Sequence, residues 1–391
     1  MTISRHYVLA AGGTGGHMIP AYALGAELVQ RGHRVALVTD ERGAKIPGQF
    51  DEGQIHVLPA GRVQGGPVGW IKAALAIRRG RAMARELLQA FEPSAVIGFG
   101  GYPALPTLLA ARSLRIPTLV HEQNAVLGRV NRLLARRVDA IATSYANVAR
   151  IPAAAQSKVH LIGNPVREAV LALRTQGYPP IDVNGVFRLL VTGGSQGASI
   201  FADIVPDALA LLPLNFRQRL QVTQQCRPED IDRVRAAYAA HGIPADLATY
   251  IEDMAEKLNW AHLVVARAGA STIAELTAAG RPAILVPLPS ATDDHQTHNV
   301  REMVGVDGAR AIAQPNFTVV ELAKQMQKLA LEPGVLENAA TRALGVGRPN
   351  ATRDLADLVE QTGGAGLMDV ITVGSAAHTA SQRARQVAPA T

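Results

Sequence analysis

The sequence has few of the residues that several common protein classes require. Cys226 is its single cysteine, so the chain forms no internal disulfide and no cysteine zinc cluster. Aromatic residues make up only 4%, which argues against the stacking platforms of proteins that bind single-stranded nucleic acid. No apolar run approaches the ~20 residues of a transmembrane helix, and the first residues do not resemble a signal peptide. We therefore expect a protein of the reducing cytoplasm.

What the chain does contain favours two soluble domains and an anionic partner. A length of 391 residues is long for one domain, and a hydrophobic content of 48% is enough for packed cores. The formal net charge is +7. Such a charge suits either nucleic acid or a phospholipid surface. Because the Lys and Arg residues are dispersed except around 72–85, we expect no nucleic-acid partner.

One glycine-rich phrase occurs twice. Apolar residues precede the segment Gly12-Gly13-Thr14-Gly15-Gly16-His17, and a second apolar run precedes Gly193-Gly194-Ser195-Gln196-Gly197-Ala198. In both places a helix-like segment follows the glycines. Glycines at a strand-to-helix turn let backbone N–H groups approach a phosphate at the helix N-terminus. The repeat predicts two similar α/β domains that face a shared cleft and bind a diphosphate-bearing substrate.

Strand and helix signals alternate along both halves, which predicts parallel sheets covered on both faces. The expected strands lie at 7–11, 34–39, 55–58, 95–99, 117–121, 140–143, 188–192, 220–223, 248–251, 263–266 and 283–287, and helices at 21–31, 70–91 and 104–113. We expect an N-terminal domain over 1–163, joined by a C-terminal helix at about 349–362. A C-terminal domain should cover 164–348, and 364–391 should be a flexible tail.

Other interpretations of these motifs remain open at this point. A dinucleotide site would place a third glycine where Met18 stands, although Asp40 follows the second strand as a ribose-binding acid would. Neither glycine loop has the lysine of a P-loop. Glu275 could accept ribose hydroxyls or could simply favour the first turn of a helix. The polar cluster Asp293-Asp294-His295-Gln296-Thr297-His298-Asn299 could bind sugar hydroxyls or, with less support from its spacing, a metal.

A set of ordered motifs resembles one enzyme family. The motifs are Gly-Gly-Thr-Gly-Gly-His at 12–17, Gly-Gly-Tyr at 100–102, His-Glu-Gln-Asn at 121–124, Gly-Asn-Pro-Val-Arg at 163–167, Gly-Gly-Ser-Gln-Gly-Ala at 193–198, Arg-Ala-Gly-Ala at 267–270 and Asp-His-Gln-Thr-His-Asn at 294–299. From about Val8 to Val359 the chain resembles the MurG family. These bacterial glycosyltransferases add N-acetylglucosamine to undecaprenyl-diphospho-muramoyl-pentapeptide to make lipid II. The tail from about Gly364 lies outside the resemblance.

The resemblance implies a GT-B fold of two Rossmann-like domains and a site for UDP-N-acetylglucosamine. It assigns donor contacts to Thr14, Gly15, Gly16, Asn124, Arg167, Ser195, Gln196, Ile251, Ala270, Ser271, Glu275, Gln296 and Asn299. Among these, Ser195, Gln196 and Arg167 would meet the diphosphate, the Ile251 backbone the uracil, Glu275 the ribose, and Gln296 and Asn299 the sugar. The acceptor side would include Gly13, Tyr102 and Asn131, with Thr14, His17 and Asn124 also lining it.

The resemblance also implies an inverting transfer to the C4 hydroxyl of the muramoyl sugar. His17 is the candidate base, since its ordinary pKa near ~6.5 keeps much of it neutral at pH 7, and Glu122 is the reserve candidate. An arginine and a helix N-terminus can stabilise the leaving diphosphate, so we expect no required cofactor or metal. The membrane-bound acceptor implies a peripheral enzyme on the cytoplasmic face of the inner membrane, with cell-wall synthesis proteins as possible partners. A patch of apolar and basic residues would dock there: Trp70, Ile71, Leu75, Arg78 and Arg79.

Overall fold

Two parallel sheets organise the chain. The computed structural model describes residues 4–46, 50, 54–59, 66–182, 184–194, 197–332 and 334–364. The first sheet has the order β3-β2-β1-β4-β5-β6-β7. Its strands are β1 (His6–Ala10), β2 (Arg34–Thr39), β3 (Ile55–Val57), β4 (Ala95–Gly98), β5 (Thr118–Glu122), β6 (Ala140–Thr143) and β7 (Val159–Leu161). Neighbouring strands pair in parallel, so their carboxyl ends lie at one edge.

Helices cover both faces of this first sheet. They are α1 (Gly15–Gln30), α2 (Gly66–Phe91), α3 (Ala104–Ser113) and α4 (Arg129–Leu134). Ala84 of α2 and Leu108 of α3 pack on one face, while Leu24 and Leu28 of α1 pack on the other. The central strands are therefore buried on both sides, which explains why their sequences are apolar throughout instead of alternating.

The second domain repeats this arrangement with the strand order β10-β9-β8-β11-β12-β13. Its strands are β8 (Phe187–Thr192), β9 (Leu220–Gln225), β10 (Ala245–Ala248), β11 (Leu263–Ala266), β12 (Ala283–Leu285) and β13 (Ala309–Ala311). The helices, which cover both faces, are α5 (Glu168–Gln176), α6 (Ser199–Ala210), α7 (Leu214–Arg217), α8 (Ile231–Ala240), α9 (Met254–Trp260), α10 (Ala270–Ala279), α11 (His295–Asn299), α12 (Arg301–Gly305), α13 (Val319–Ala330) and α14 (Val335–Val346).

The last described helix returns the chain to the first domain. Residues 351–364 form this helix, α15, whose Leu355 and Val359 join the core beneath β1. Arg31 at the end of α1 bonds the α15 carboxylates of Asp357 and Glu360 at 2.5 and 2.8 Å. The two chain crossings between the domains touch each other: a Cβ on Gly163 would lie 2.7 Å from Cβ of Arg348. This close approach requires glycine at 163, where φ is +106°.

Several boundaries differ from those expected, each for a physical reason. Helix α1 begins at Gly15 and not at 21, because tertiary packing overrides the poor helix propensity of two glycines and Pro20. The strand expected at 248–251 lies at Ala245–Ala248, and the buried Ile251 belongs to a loop. The sequence does not predict strands β7 and β13, since each is a mostly exposed edge strand of only three residues.

Candidate active site

Loops from the carboxyl ends of both sheets meet at Asn299, and we call the space between these loops the cleft. The Asn299 Oδ1 accepts a hydrogen bond from the backbone of Ala125, which follows β5, at 2.8 Å. Its Nδ2 donates to Asn124 Oδ1 and to the Ala268 carbonyl, which follows β11, both at 3.1 Å. Fully buried, Asn299 therefore ties the two domains together by contacts with protein groups. Its expected sugar contact stays a prediction.

The first glycine loop presents the N-terminus of α1. Thr14 is the N-cap of that helix in extended conformation and is exposed to solvent. The first N–H groups of the helix, at Gly15 and Gly16, have no intrahelical acceptor and can bind an anion. Asp40 does not face a ribose: its Oδ1 accepts from the backbone N–H of Gly13 and Gly43, at 3.0 and 2.8 Å, and so braces the loop.

His17 lies in the first turn of α1, half-buried against the loop after β4. A Cβ on Gly100, where φ is +92°, would lie 3.1 Å from Cε1 of the ring. Its Nδ1 lies 3.1 Å from Oε1 of Gln123. Burial lowers the pKa of His17, against the opposing effects of the Glu122 charge, Gln123 and the Phe99 carbonyl. The imidazole is therefore neutral at neutral pH, as a general base must be.

The Glu122 carboxylate organises the neighbouring loop. Its Oε1 accepts from the Asn124 backbone at 3.0 Å, and its Oε2 accepts from Gly128 N at 2.8 Å and Asn131 Nδ2 at 2.9 Å. Both residues, Glu122 and Asn131, are buried. These contacts hold the 124–128 loop in place, and the expected roles of Glu122 as reserve base and of Asn131 on the acceptor side stay predictions.

Arg167 and Glu275 form an ion pair on the donor side. Arg167 is the N-cap of α5, and its Nε and Nη2 lie 3.1 and 2.7 Å from Oε1 of Glu275 on α10. Burial raises the pKa of Glu275, although Arg167 opposes that shift. Because both contacts use Oε1, the second carboxylate oxygen remains for another donor. The pair combines a cation suited to phosphate with a carboxylate suited to hydroxyls.

The start of α10 lies beside this ion pair. Ala270 is its first residue, and the Ser271 hydroxyl is buried without a hydrogen-bond partner among the described residues. A buried hydroxyl without a partner is costly, and the expected donor contact of Ser271 stays a prediction. Helix α1 of the first domain contacts α10 of the second domain. Ile251 is buried in the core that contains Ile273 of α10.

Gln296 connects two loops of the second domain. Its Oε1 accepts from the backbone N–H of Ala268 at 3.1 Å and of Leu288 at 2.9 Å, so it holds the ends of β11 and β12 together. The neighbouring His295 has its Nδ1 2.8 Å from the carbonyl of Thr292. These contacts orient the Asp-His-Gln segment. No group of three or more metal-ligating side chains occurs among the described residues.

Three predicted site residues lie outside what the structure describes. They are Ser195 and Gln196 of the second glycine loop and the side chain of Trp70. Tyr102 is half-buried in the turn that precedes α3, next to the first glycine loop, since a Cβ on Gly101 would lie 2.8 Å from the Gly12 carbonyl.

The other members of the basic and apolar patch share one face of α2. Ile71 and Leu75, which are 60% and 50% exposed, are followed at helical spacing by the exposed Arg78 and Arg79. Together these four residues form the α2 patch. Among the described residues, the structure contains no helix with the length and apolarity needed to cross a membrane.

Two features of the cleft were not assigned from the sequence. The buried pair His121 and Gln123 stands directly behind His17, a placement that the motif at 121–124 does not reveal. Asp293, with φ of +56°, accepts from Arg132 at 2.7 Å and pairs with Arg150 at 2.5 Å, so it bridges the domains. Nothing in the sequence pairs positions about 160 residues apart, and only the fold brings them together.

Comparisons with known proteins agree with this geometry. A family model described as the glycosyltransferase family 28 N-terminal domain matches residues 7–143, and the corresponding C-terminal domain model matches residues 188–360. A protein of Novosphingobium aromaticivorans is 64% identical over 380 residues, which cover 97% of this chain and 98% of that protein. Its name is UDP-N-acetylglucosamine–N-acetylmuramyl-(pentapeptide) pyrophosphoryl-undecaprenol N-acetylglucosamine transferase.

The chain belongs to the MurG family. A second relative with the same name, from Sphingopyxis alaskensis, is 59% identical over 375 residues, 96% of each chain. The crystal structure of Acinetobacter baumannii MurG matches with a TM-score of 0.71 and 30% identity, and the match covers 91% of this chain and 99% of that one. The expected GT-B architecture of two Rossmann-like domains is confirmed for this MurG-family chain.

Proposed function

We propose that this protein transfers N-acetylglucosamine from UDP-N-acetylglucosamine to the C4 hydroxyl of the muramoyl sugar in undecaprenyl-diphospho-muramoyl-pentapeptide. The product is lipid II, a precursor of peptidoglycan. One observation carries the proposal: the 64% identity to a relative named for this reaction extends over 97% of the chain. It therefore includes both domains and the loops that line the cleft.

The donor binds at the second domain in this proposal. Arg167 turns from Glu275 to the diphosphate, and Glu275 then accepts the ribose hydroxyls. The buried Ser271 hydroxyl, which lacks a partner among the described residues, supports a ligand at the start of α10. Gln296 holds the loops that face the sugar. Ile251 would present its backbone to the uracil, with Ser195 and Gln196 at the diphosphate.

The transfer inverts the configuration at the anomeric carbon. The C4 oxygen of the acceptor forms a bond to that carbon, while the bond to the diphosphate oxygen breaks and its electron pair leaves with UDP. The hydroxyl proton passes to His17, whose neutral state is favoured by burial. The negative Glu122 stabilises the imidazolium that results, since its charge opposes the lowering of the His17 pKa.

No metal or other cofactor takes part in the proposed step. The negative charge that develops on the leaving diphosphate needs a nearby positive charge or preorganised N–H donors. Arg167 supplies a guanidinium, and the N-termini of α1 and α10 supply oriented N–H groups. This set of donors serves the role that a bound cation has in other nucleotide-sugar enzymes.

The acceptor carries a lipid, so the enzyme would work at the cytoplasmic face of the inner membrane as a peripheral protein. The exposed α2 patch supports this location, because apolar side chains flanked by arginines suit an anionic lipid surface. The Ile71→Ser/Leu75→Ser protein should lose vesicle binding in co-sedimentation with phosphatidylglycerol vesicles. The matched control is Leu211→Ser/Leu214→Ser, two leucines that are 52% and 58% exposed in the other domain. Equal binding by both variants would contradict the proposed patch.

The deciding experiment measures transfer of labelled N-acetylglucosamine to a short-chain analogue of the muramoyl-pentapeptide lipid. UDP-N-acetylgalactosamine serves as the donor control. We expect transfer that is selective for the glucosamine donor, and we expect His17→Ala to lose about 10²–10⁴-fold in kcat with its affinity for UDP unchanged. Absence of transfer by a protein that binds UDP would direct the search to another glycolipid acceptor. A fully active His17→Ala protein would rule out His17 as the base.

A further inference from the structure

A chain of hydrogen bonds runs from the domain boundary to His17. It begins at the carbonyl of Gly163, which lies 2.9 Å from Nε2 of His121. The other ring nitrogen of His121, Nδ1, lies 3.0 Å from Nε2 of Gln123. The Gln123 Oε1 then lies 3.1 Å from Nδ1 of His17. Two buried side chains thus connect a backbone carbonyl to the proposed base.

The direction of every bond follows from the first one. A backbone carbonyl can only accept, so Nε2 of His121 carries a proton. Burial holds the pKa of His121 at about 4, and the ring is therefore neutral and has its lone pair on Nδ1. That nitrogen must accept from Gln123, which consequently presents its amide NH₂ group to His121.

A second contact fixes the same orientation of the Gln123 amide. Its Nε2 also donates to the His121 carbonyl at 3.2 Å. With the amide rotated by 180°, Oε1 would face two acceptors, the Nδ1 lone pair and that carbonyl, and the NH₂ group would lose both bonds. The observed orientation leaves Oε1 as the atom that faces His17. This oxygen is an acceptor, so Nδ1 of His17 must donate to it.

We propose that His121 and Gln123 are positioning residues that keep the proton of neutral His17 on Nδ1 and leave the Nε2 lone pair available as the base. This inference rests on the proposed function, in which His17 takes the proton of the acceptor's C4 hydroxyl. It assigns the tautomer in which His17 does so. A neutral imidazole with its proton on Nε2 cannot take up another proton at that atom. We call the hydrogen-bonded chain from Gly163 through His121 and Gln123 to His17 the relay. The relay determines the tautomer of His17, whereas Glu122 acts on His17 through its charge.

The groups around His17 oppose one another in their effects on its pKa. On β5, the charge of Glu122 favours the imidazolium, and on the facing α11 the ring of His295 disfavours it. The neighbouring His121 is neutral, so it fixes the direction of the hydrogen bonds and adds no charge. The Phe99 carbonyl also favours the charged ring. A change at Gln123 alone therefore leaves the charged neighbours of His17 in place.

The test reads the tautomer directly in the resting protein. Long-range ¹H–¹⁵N spectra of ¹⁵N-histidine-labelled protein show which ring nitrogen is protonated, and the signal that disappears in His17→Asn belongs to His17. We expect the proton on Nδ1 in the wild type and a shift toward the Nε2 tautomer in Gln123→Met. The wild-type proton on Nε2, directed to an acceptor such as the Phe99 carbonyl, would overturn the proposal.

Activity across pH supplies the second measurement. Gln123→Met should lower kcat about 10- to 100-fold, a part of what a general base contributes, without changing the affinity for UDP. Gln123→Glu places a carboxylate against Nδ1, so the acid limb of the pH profile should move about one unit upward. An unmoved acid limb together with an unchanged tautomer would refute the relay.

A matched control separates positioning from the cost of removing a buried amide. Gln224 is fully buried in β9 and accepts a hydrogen bond from Tyr238 at 2.6 Å. Gln224→Met should lower stability as Gln123→Met does, but it should leave the His17 tautomer and the pH profile unchanged. If wild-type protein shows the expected tautomer but no transfer, the proposed function fails while the relay stands. If it transfers but Gln123→Met changes neither readout, only the relay fails.

Discussion

The ion pair between Arg167 and Glu275 should respond unequally to removal of its two partners. The Glu275 side chain is 10% exposed, whereas that of Arg167 is 40% exposed. Arg167→Met leaves a buried carboxylate without its cation, while Glu275→Gln leaves an arginine that can turn to water. Breaking a fully buried pair costs about 3–5 kcal/mol, and the exposure of Arg167 reduces this to about 2 kcal/mol for Arg167→Met. Glu275→Gln keeps an acceptor and should cost about 1 kcal/mol or less.

The cost of Arg167→Met should also depend on pH. Burial places the pKa of folded Glu275 above the ordinary value of 4.5, and loss of Arg167 raises that pKa further. Between the unfolded and folded pKa values the folded protein binds more protons, so stability falls as the pH rises through this window. The window is wider in the variant. Arg167→Met should therefore be nearly as stable as the wild type at pH 5 and clearly less stable at pH 7.5.

Urea unfolding can measure this difference in the second domain alone. Trp260 packs beside the core that contains Ile273 and Leu276 of α10, and Trp70 is the only other tryptophan of the chain. In a Trp70→Phe background, fluorescence then follows Trp260. The double variant Arg167→Met/Glu275→Gln should recover part of the stability that Arg167→Met loses. A larger cost for Glu275→Gln than for Arg167→Met, or equal costs at both pH values, would refute this explanation.

Three further predictions follow from buried or bridging charges. The pKa of folded His121 is about 4 against an ordinary 6.5, so the unfolded state binds more protons than the folded state between these pH values. The free energy of unfolding, measured with urea, should therefore fall by about 3 kcal/mol from pH 6.5 to pH 4. It should fall much less in His121→Gln. Asp293→Asn weakens both ion pairs that join the domains, those with Arg132 and Arg150, so small-angle scattering should show a larger radius of gyration. Asp294→Asn is the control and should leave the radius unchanged, because the Asp294 carboxylate contacts Thr297 of its own domain. Arg281 is fully buried and donates hydrogen bonds to the carbonyls of Leu258 and Ala279. Arg281→Met leaves these carbonyls without their donor and should lower the free energy of unfolding by about 2–4 kcal/mol. An unchanged thermal transition would contradict a stabilising role for Arg281.

Most of the fold could be predicted because it depends on local signals. Strands β2, β6 and β11 lie at the positions that their apolar residues indicate. The repeated glycine turns also identify the carboxyl edge of each sheet. The exceptions involve weak or misleading local signals. Strands β7 and β13 are short, exposed edges, and Ile251 is apolar because it enters the core from a loop.

The roles within the candidate site were harder to predict, since a side chain's role depends on which polar groups surround it. The sequence motifs bring Gln296 and Asn299 to the cleft, but they do not reveal the backbone groups that both side chains bind. Those partners lie up to 174 residues away along the chain. Packing of the two domains supplies the Ala125 partner of Asn299, and folding of the second domain supplies the partners of Gln296. Both side chains therefore support loops of the cleft, and their expected sugar contacts stay predictions.

The choice between His17 and Glu122 as the base depends on the same kind of contact. From sequence alone, a glutamate at the end of a strand and a histidine at the start of a helix are both reasonable bases. The structure surrounds the Glu122 carboxylate with donors from Asn124, Gly128 and Asn131, so both of its oxygens already accept hydrogen bonds from the loop that follows β5. His17 instead meets an acceptor at Nδ1, which favours a free lone pair at Nε2. Donors around one candidate and an acceptor beside the other are the observations that support our proposal of His17 as the base, with Glu122 stabilising the charge that forms.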